Sequence, residues 1–385
     1  MSPSASTNAS SRHELKVADS LDEVSAQDWQ ALTQGNPFVG HGFLQGLQDT
    51  DCAVPDAGWY PKFLLLYRDA VLVGAAPCYF KTHSRGEFVF DHGWADAFER
   101  HGREYYPKLV VAAPFTPVQG PRLLAADEQA RTALAQGIIA LTRSGSASSA
   151  HVLFVEDADR EALREAGFMI REAVQFHWTN AGYATLDDFL ASLHQERRKK
   201  IRQDSRYVAQ AGIAYQWLEG EALTDEHLVF FYQCYCNTYR EHWSSPYLSL
   251  AFFRQMHRDR SLHLVLMLAH RQGQPVACAL NVLGADILYG RYWGTTEFAR
   301  GLHFETCYLQ SIAYCIQNGI GAFEGGAQGE HKMARGLLPT KTYSAHWIAD
   351  RRFAEAIGDF LERETVAMDR FVEQLEDSSP FKRQA

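Results

Sequence analysis

The sequence predicts a mixed α/β fold built from two copies of one unit. At 385 residues the chain exceeds what a single ordinary core fills, so two domains are expected. Short β-prone runs form a three-strand meander at 63–67, 72–80 and 87–91, and again at 263–269, 276–283 and 287–293. Their aromatic ends fall in similar places, with Trp94 and Phe98 answered by Trp293 and Phe298 about 200 positions later. That offset is too long for a solenoid and suits a duplicated domain.

The elements follow in order. Helices are expected at 21–32, after Ser20 as N-cap, and at 38–47, after Asn36-Pro37. Beyond the first meander come a strand at 108–113, ended by Pro114 and Pro117, and a helix at 127–143 with a stripe of Ala130, Leu134, Ile138 and Leu141. Strand 151–156, helix 158–166 and strand 174–178 complete a first unit, 14–180, behind a disordered tail at 1–13. The second unit, 181–366, opens with one long helix at 186–210 carrying Arg197, Arg198, Lys200 and Arg202, then strand 213–218 and helices 225–240 and 249–258. After the second meander, helix 304–318 ends at Gly319 and leads to strand 320–324, expected to lie parallel to 287–293. Residues 367–385 are the end of a helix and a tail.

Composition narrows the function. Hydrophobic residues at 46% with 22% charged mark a globular chain. No apolar run reaches the roughly 20 residues of a membrane span, and the first dozen residues lack an apolar signal segment, so a cytoplasmic location is expected. The net charge of −9 disfavours DNA and leaves RNA only a local patch. Seven scattered cysteines do not suggest disulfides. Cys234 and Cys236 point to different faces of a helix, and Glu330-His331 lacks zinc-protease spacing, so no metal is expected.

The chemistry concentrates at 322–347. Glu324 ends a buried strand, Gly325, Gly326 and Gly329 let backbone approach a ligand, and Glu330, His331, Lys332 and Arg335 follow within six residues. After Pro339 the period becomes two, with Thr340, Thr342, Ser344 and His346 on one face and Lys341, Tyr343, Ala345 and Trp347 on the other. Blander readings stand beside these. Glu305 opens its helix as a dipole partner would, residues 330–332 suit a solvated loop, His346 could bond Thr342 or Ser344 in a core, and the basic helix could be a solvated face.

The Phe323-Glu324-Gly325-Gly326 strand end, with Lys332, Arg335-Gly336-Leu337 and the basic helix before the second unit, resembles the FemABX-like N-acyltransferases of the GNAT superfamily. Tyr105-Tyr106-Pro107-Lys108-Leu109 with Pro114-Phe115-Thr116-Pro117, and the run from Gly326 to Lys332, are similar to a bacterial subgroup of predicted N-acyltransferases. The resemblance covers roughly residues 20 to 365. It implies tandem GNAT-like domains that transfer an acyl or aminoacyl group to an amine. It also implies a relation to enzymes of peptidoglycan precursors, and acyl-CoA or aminoacyl-tRNA as co-substrate with nothing tightly bound. Where CoA-dependent relatives hold pyrophosphate on a glycine-rich loop, residues 294–305 place Glu305 at the helix start, which competes with phosphate for the same dipole end. The coiled-coil insertion of the aminoacyl-tRNA users is missing too, so the donor stays open.

On this reading Glu305, Glu324, His331 and His346 are candidate bases. Gly325, Gly326, Gln328, Glu330, Lys332, Arg335, Thr342, Tyr343 and Trp293 are candidate substrate contacts, and Arg197, Arg198, Lys200 and Arg202 a seat for tRNA or phosphate. The alternatives are a non-catalytic GNAT-fold module that binds a peptide or cell-wall precursor, and an RNA-binding protein using the basic helix. The RNA reading carries its own test: tRNA binding that weakens with salt and is lost in the Arg198→Glu/Arg202→Glu variant, measured by filter binding.

Overall fold

A computed structural model describes residues 13–326 and 329–382 and, of Glu330, the backbone. Gln328 and the Glu330 side chain, both candidate contacts, lie outside the described residues. The strands are β1 (His13–Ala18), β2 (Trp59–Pro61), β3 (Phe63–Arg68), β4 (Val71–Ala76), β5 (Cys78–Lys81), β6 (Lys108–Val111), β7 (Leu124–Ala125) and β8 (Ser149–Val155) in the first half. They continue with β9 (Met169–Thr179), β10 (Ile213–Glu219), β11 (His263–Arg271), β12 (Gln274–Leu283), β13 (Ile287–Thr295), β14 (Ala322–Glu324) and β15 (Leu338–Ile348). A small sheet has the order β1-β3-β4-β7, and a large one β10-β11-β12-β13-β14-β9-β15-β8-β6-β5-β2.

The second meander forms as the sequence indicates. β11 and β12 are joined through Gln272 and Gly273, both at positive φ, as a tight two-residue hairpin requires. The first meander departs from expectation. Run 72–80 breaks at Pro77, which has no N–H for a ladder, so β4 stays in the small sheet while β5 joins the large one. Residues 87–91 form no strand, because Glu87 and Asp91 both turn in to the Lys108 ammonium, Glu87 at 2.7 Å. The helix expected at 186–210 is two helices, Leu186–Ser192 and Gln195–Gln210. Between them Leu193 bridges Phe381 and the His194 N–H donates to Pro380, so the backbone serves the C-terminal segment in place of a helix.

β15 inserts between β8 and β9, antiparallel to both, and joins late strands to early ones in one sheet. Thr340, Thr342, Ser344 and His346 oppose Gln175, Ala173, Arg171 and Met169, which gives the polar face read from the sequence. Helix Leu302–Phe304 passes through a π turn, Glu305–Leu309, into Gln310–Asn318, which Gly319 ends at φ 67°. The last helix, Arg351–Asp377, continues past residue 366.

Lys108 is fully buried between the carboxylates of Glu87 and Asp91, with Tyr105 donating to Asp91 at 2.6 Å. Burial alone would raise both acids. Lys108 holds Asp91 well below the carboxylate range, while burial and the neighbouring Asp91 push Glu87 up to about 7. Lys108→Met would leave two carboxylates facing each other without a cation. It is expected to cost about 3–5 kcal/mol, read from the urea midpoint at pH 7.

Candidate active site

β13 and β14 run parallel but pair at only three positions, Ile287 with Ala322, Leu288 with Phe323 and Tyr289 with Glu324. Beyond them the strands part. On β13 the register slips between Gly290 and Tyr292, so Arg291 is an extra, bulged residue and the strand bends. On β14 the chain turns through Gly325 and Gly326. A Cβ at Gly325 would meet Leu337 at 2.7 Å, and Gly326 sits at φ 86°.

Two neighbouring spaces lie there, one of about 280 Å³ and one of about 110 Å³, both lined by Gly290, Arg291, Tyr292, Trp293 and Gly326. Tyr235 and Tyr239, from helix Asp225–Glu241, wall the larger space, and Phe115 and Pro117 line it from the loop after β6. The two motifs singled out in the sequence thus meet across one groove. His303, Cys307 and Tyr308 line the smaller space.

Glu324 is 8% exposed and its Oε2 has no hydrogen-bond partner among the described residues. Burial pushes its pKa up to about 7, against the pull of Arg291. The Arg291 guanidinium donates to the Phe115 carbonyl at 2.8 Å. His177 Nδ1 stands 3.9 Å from Glu324 Oε1, its Nε2 lies 3.2 Å from Gln175 Oε1, and Gln175 donates to the Pro117 carbonyl at 2.8 Å. Burial, aided by Lys332, lowers His177 to about 4. Lys332 is 2% exposed and donates to the Gly326 carbonyl at 2.7 Å. It makes no ion pair among the described residues, and burial lowers it to about 8.

Gly325, Gly326 and Trp293 line these spaces, while Glu324 and Lys332 line neither but adjoin them, Glu324 immediately before Gly325 and Lys332 bonded to the Gly326 carbonyl. The other expected site residues go elsewhere. Glu305 accepts from Ser205 at 2.7 Å and Gln310 at 3.0 Å and lines neither space. Arg335 pairs with Asp204 at 2.7 Å and lies over the Phe304 ring. His331 is exposed, with Nε2 3.4 Å from the Tyr308 hydroxyl.

His346 is buried beyond β9, Nδ1 to Nδ1 with His151 at 2.7 Å and bonded to Ser344 at 2.8 Å, the core-histidine arrangement. One ring of that pair must donate and the other accept, and burial keeps both neutral. Thr342 faces a separate cavity of about 300 Å³, and Tyr343 carries Arg160 over its ring. On the basic helix, Lys200 pairs with Asp204, Arg202 with Asp187, and Arg198 donates to the Ala191 carbonyl. Arg197 lies on the same helix.

Sequence reasoning did not single out His177, Gln175, Arg291 or the tyrosine wall. A signal for the first two existed: Gln175 and His177 alternate with Val174, Phe176 and Trp178, marking a polar face on an apolar strand.

The split parallel pair, the bulged strand beside it and the large sheet that early and late strands share define a mixed α/β protein. The chain belongs to the FemAB-like family, described as peptidoglycan biosynthesis/recognition, whose model matches residues 20–383. FemX superposes with a TM-score of 0.55 at 12% identity, over 87% of this chain and 98% of that one. L-PGS from Bacillus licheniformis gives 0.54 at 10% identity, over 88% and 96%. The C-terminal domain of a putative lysylphosphatidylglycerol synthetase from Agrobacterium fabrum gives 0.53 at 8%, over 89% and 96%. At these identities the likeness is one of fold. No curated protein matches in sequence. Among the described residues no helix is long and apolar enough to cross a membrane.

Because burial raises Glu324 from 4.5 to about 7, stability that the neutral carboxyl supplies below about pH 4.5 is lost as pH rises through about 7. Glu324→Gln is therefore expected to match the parent near pH 4 and to exceed it at pH 8 by about 1–3 kcal/mol, read from urea unfolding at the two pH values.

Proposed function

We propose that the groove is the active site of an N-acyltransferase that moves an acyl or aminoacyl group from acyl-CoA or aminoacyl-tRNA onto an amine, with Glu324 as the base. The observation that carries this reading is a buried carboxylate whose Oε2 has no hydrogen-bond partner among the described residues, brought near neutral pKa where two parallel strands part. As the amine nitrogen bonds to the donor carbonyl carbon it loses a proton, and Glu324 takes it. The same proton passes to the departing sulfur or oxygen as that bond breaks. Backbone N–H groups at Gly325 and Gly326 serve the developing oxyanion. Lys332, a buried cation without a carboxylate partner among the described residues, receives a phosphate or carboxylate of a substrate.

The first half of the chain, 14–180, supplies the wall at Phe115 and Pro117, and the second, 181–366, the reacting groups. The basic helix Gln195–Gln210 reaches the turn at Glu330–Arg335 through the Arg335–Asp204 pair, which suits a tRNA donor. The family description favours a peptidoglycan-precursor amine as acceptor.

Incubation with CoA thioesters and charged tRNA in a cell extract should yield a new amide by mass spectrometry. No product with either donor would leave the non-catalytic binding module. Glu324→Gln should lower kcat about 10²–10⁴-fold. Since Glu324 must be ionised and Lys332 charged, kcat/KM should peak between the two values of about 7 and about 8, falling on either side.

A further inference from the structure

The carbonyl of Pro117 has no hydrogen to give, so the Gln175 group facing it at 2.8 Å is the amide N–H₂. That orientation turns Gln175 Oε1 toward His177 Nε2, 3.2 Å away. An amide oxygen only accepts, so Nε2 carries the proton and Nδ1 of the neutral ring is bare. The bare nitrogen faces Glu324 Oε1 at 3.9 Å, beyond hydrogen-bond range. Two lone pairs without a proton between them stand apart in this way. Gln175 is 3% exposed, so water does not readily replace its part in the chain.

We propose that His177 is the positioning residue of Glu324: fixed as the Nε2–H tautomer by Gln175 and Pro117, it accepts a hydrogen bond from the Glu324 carboxyl only when that group is protonated. The contact then closes from 3.9 Å to the usual 2.7 to 3.0 Å or so. No bond beyond the hydrogen bond forms, and the proton stays on Glu324 until the leaving group takes it. An acceptor for the neutral acid favours that form, so His177 adds to burial in keeping Glu324 near neutrality. Arg291 and Tyr289 face Glu324 from β13, and Lys332 faces His177 from the turn at Glu330–Arg335. None of them is altered by changes at 175 or 177. Pro117 belongs to the first half of the chain, so a loop of that half sets the protonation geometry of a base in the other. The catalytic meaning of the contact rests on Glu324 being the base; the contact itself does not.

The test uses the full chain with ¹⁵N-labelled histidine and ¹³C-labelled glutamate carboxyls, without substrate. His177 should show a protonated Nε2 and an unprotonated Nδ1 from pH 6 to 8. A protonated Nδ1, or an imidazolium at pH 7, would overturn the proposal. The Glu324 carboxyl should titrate about one pH unit lower in His177→Phe, and part of that way in Gln175→Leu, which frees the tautomer. An unchanged Glu324 titration in a folded His177→Phe protein also overturns it. Should that variant not fold, the tautomer in the parent and the Gln175→Leu titration decide. Turnover by Glu324→Gln would remove the base assignment while leaving both spectroscopic results standing.

Discussion

The parting of β13 from β14 after three residue pairs is the constraint from which the groove follows. Parallel strands held side by side satisfy each other's backbone groups, so separating them leaves N–H and C=O groups facing a gap. Arg291 supplies the extra residue that bends β13 away, and Gly325 and Gly326 let β14 turn where a side chain would collide with Leu337. Glu324 stands at the last shared pair, the innermost point of the wedge. Its burial, and hence its raised pKa, is a consequence of that position.

Buried charges here divide into two kinds. Lys108 with Glu87 and Asp91, and Arg335 with Asp204, are paired at hydrogen-bonding distance and join segments distant in sequence. Such pairs fix geometry, and burial is tolerated because each charge has its counterpart. Glu324 and Lys332 are as deeply placed, yet among the described residues neither has an opposite charge at ion-pair distance; the His177 ring near Glu324 is neutral. Carrying such groups lowers stability, and both stand beside the glycines that line the groove, Glu324 before Gly325 and Lys332 on the Gly326 carbonyl.

The two halves of the chain are joined mechanically as well as by sheet. β15 lies between β8 and β9, and the loop at Phe115 lends its carbonyl to Arg291 across the two halves, while Pro117 in the same loop accepts from Gln175 of its own half. Phe115 and Pro117 from the one half and Gly290, Arg291, Tyr292 and Trp293 from the other line the same space.

The sequence by itself determined the mixed α/β class, the second meander, the parallel neighbours β13 and β14, the polar face of β15, and the concentration of chemistry around Glu324 and Lys332. These rest on local signals: period, turn residues, and glycines beside charges. Tertiary structure alone decided which charges were already spent. Glu305 turns to Ser205, Arg335 to Asp204 and His346 to His151, and each partner lies about 100 or more positions away, where no periodicity points. It also decided the break at Pro77 and the divided helix at Leu193, where a missing donor and a distant backbone strand outweigh local propensity. His177 and Gln175 belong to both accounts: their alternation was visible along the strand, but their surroundings required Glu324 from the later half of the chain on one side and the Pro117 carbonyl, 58 positions before Gln175, on the other.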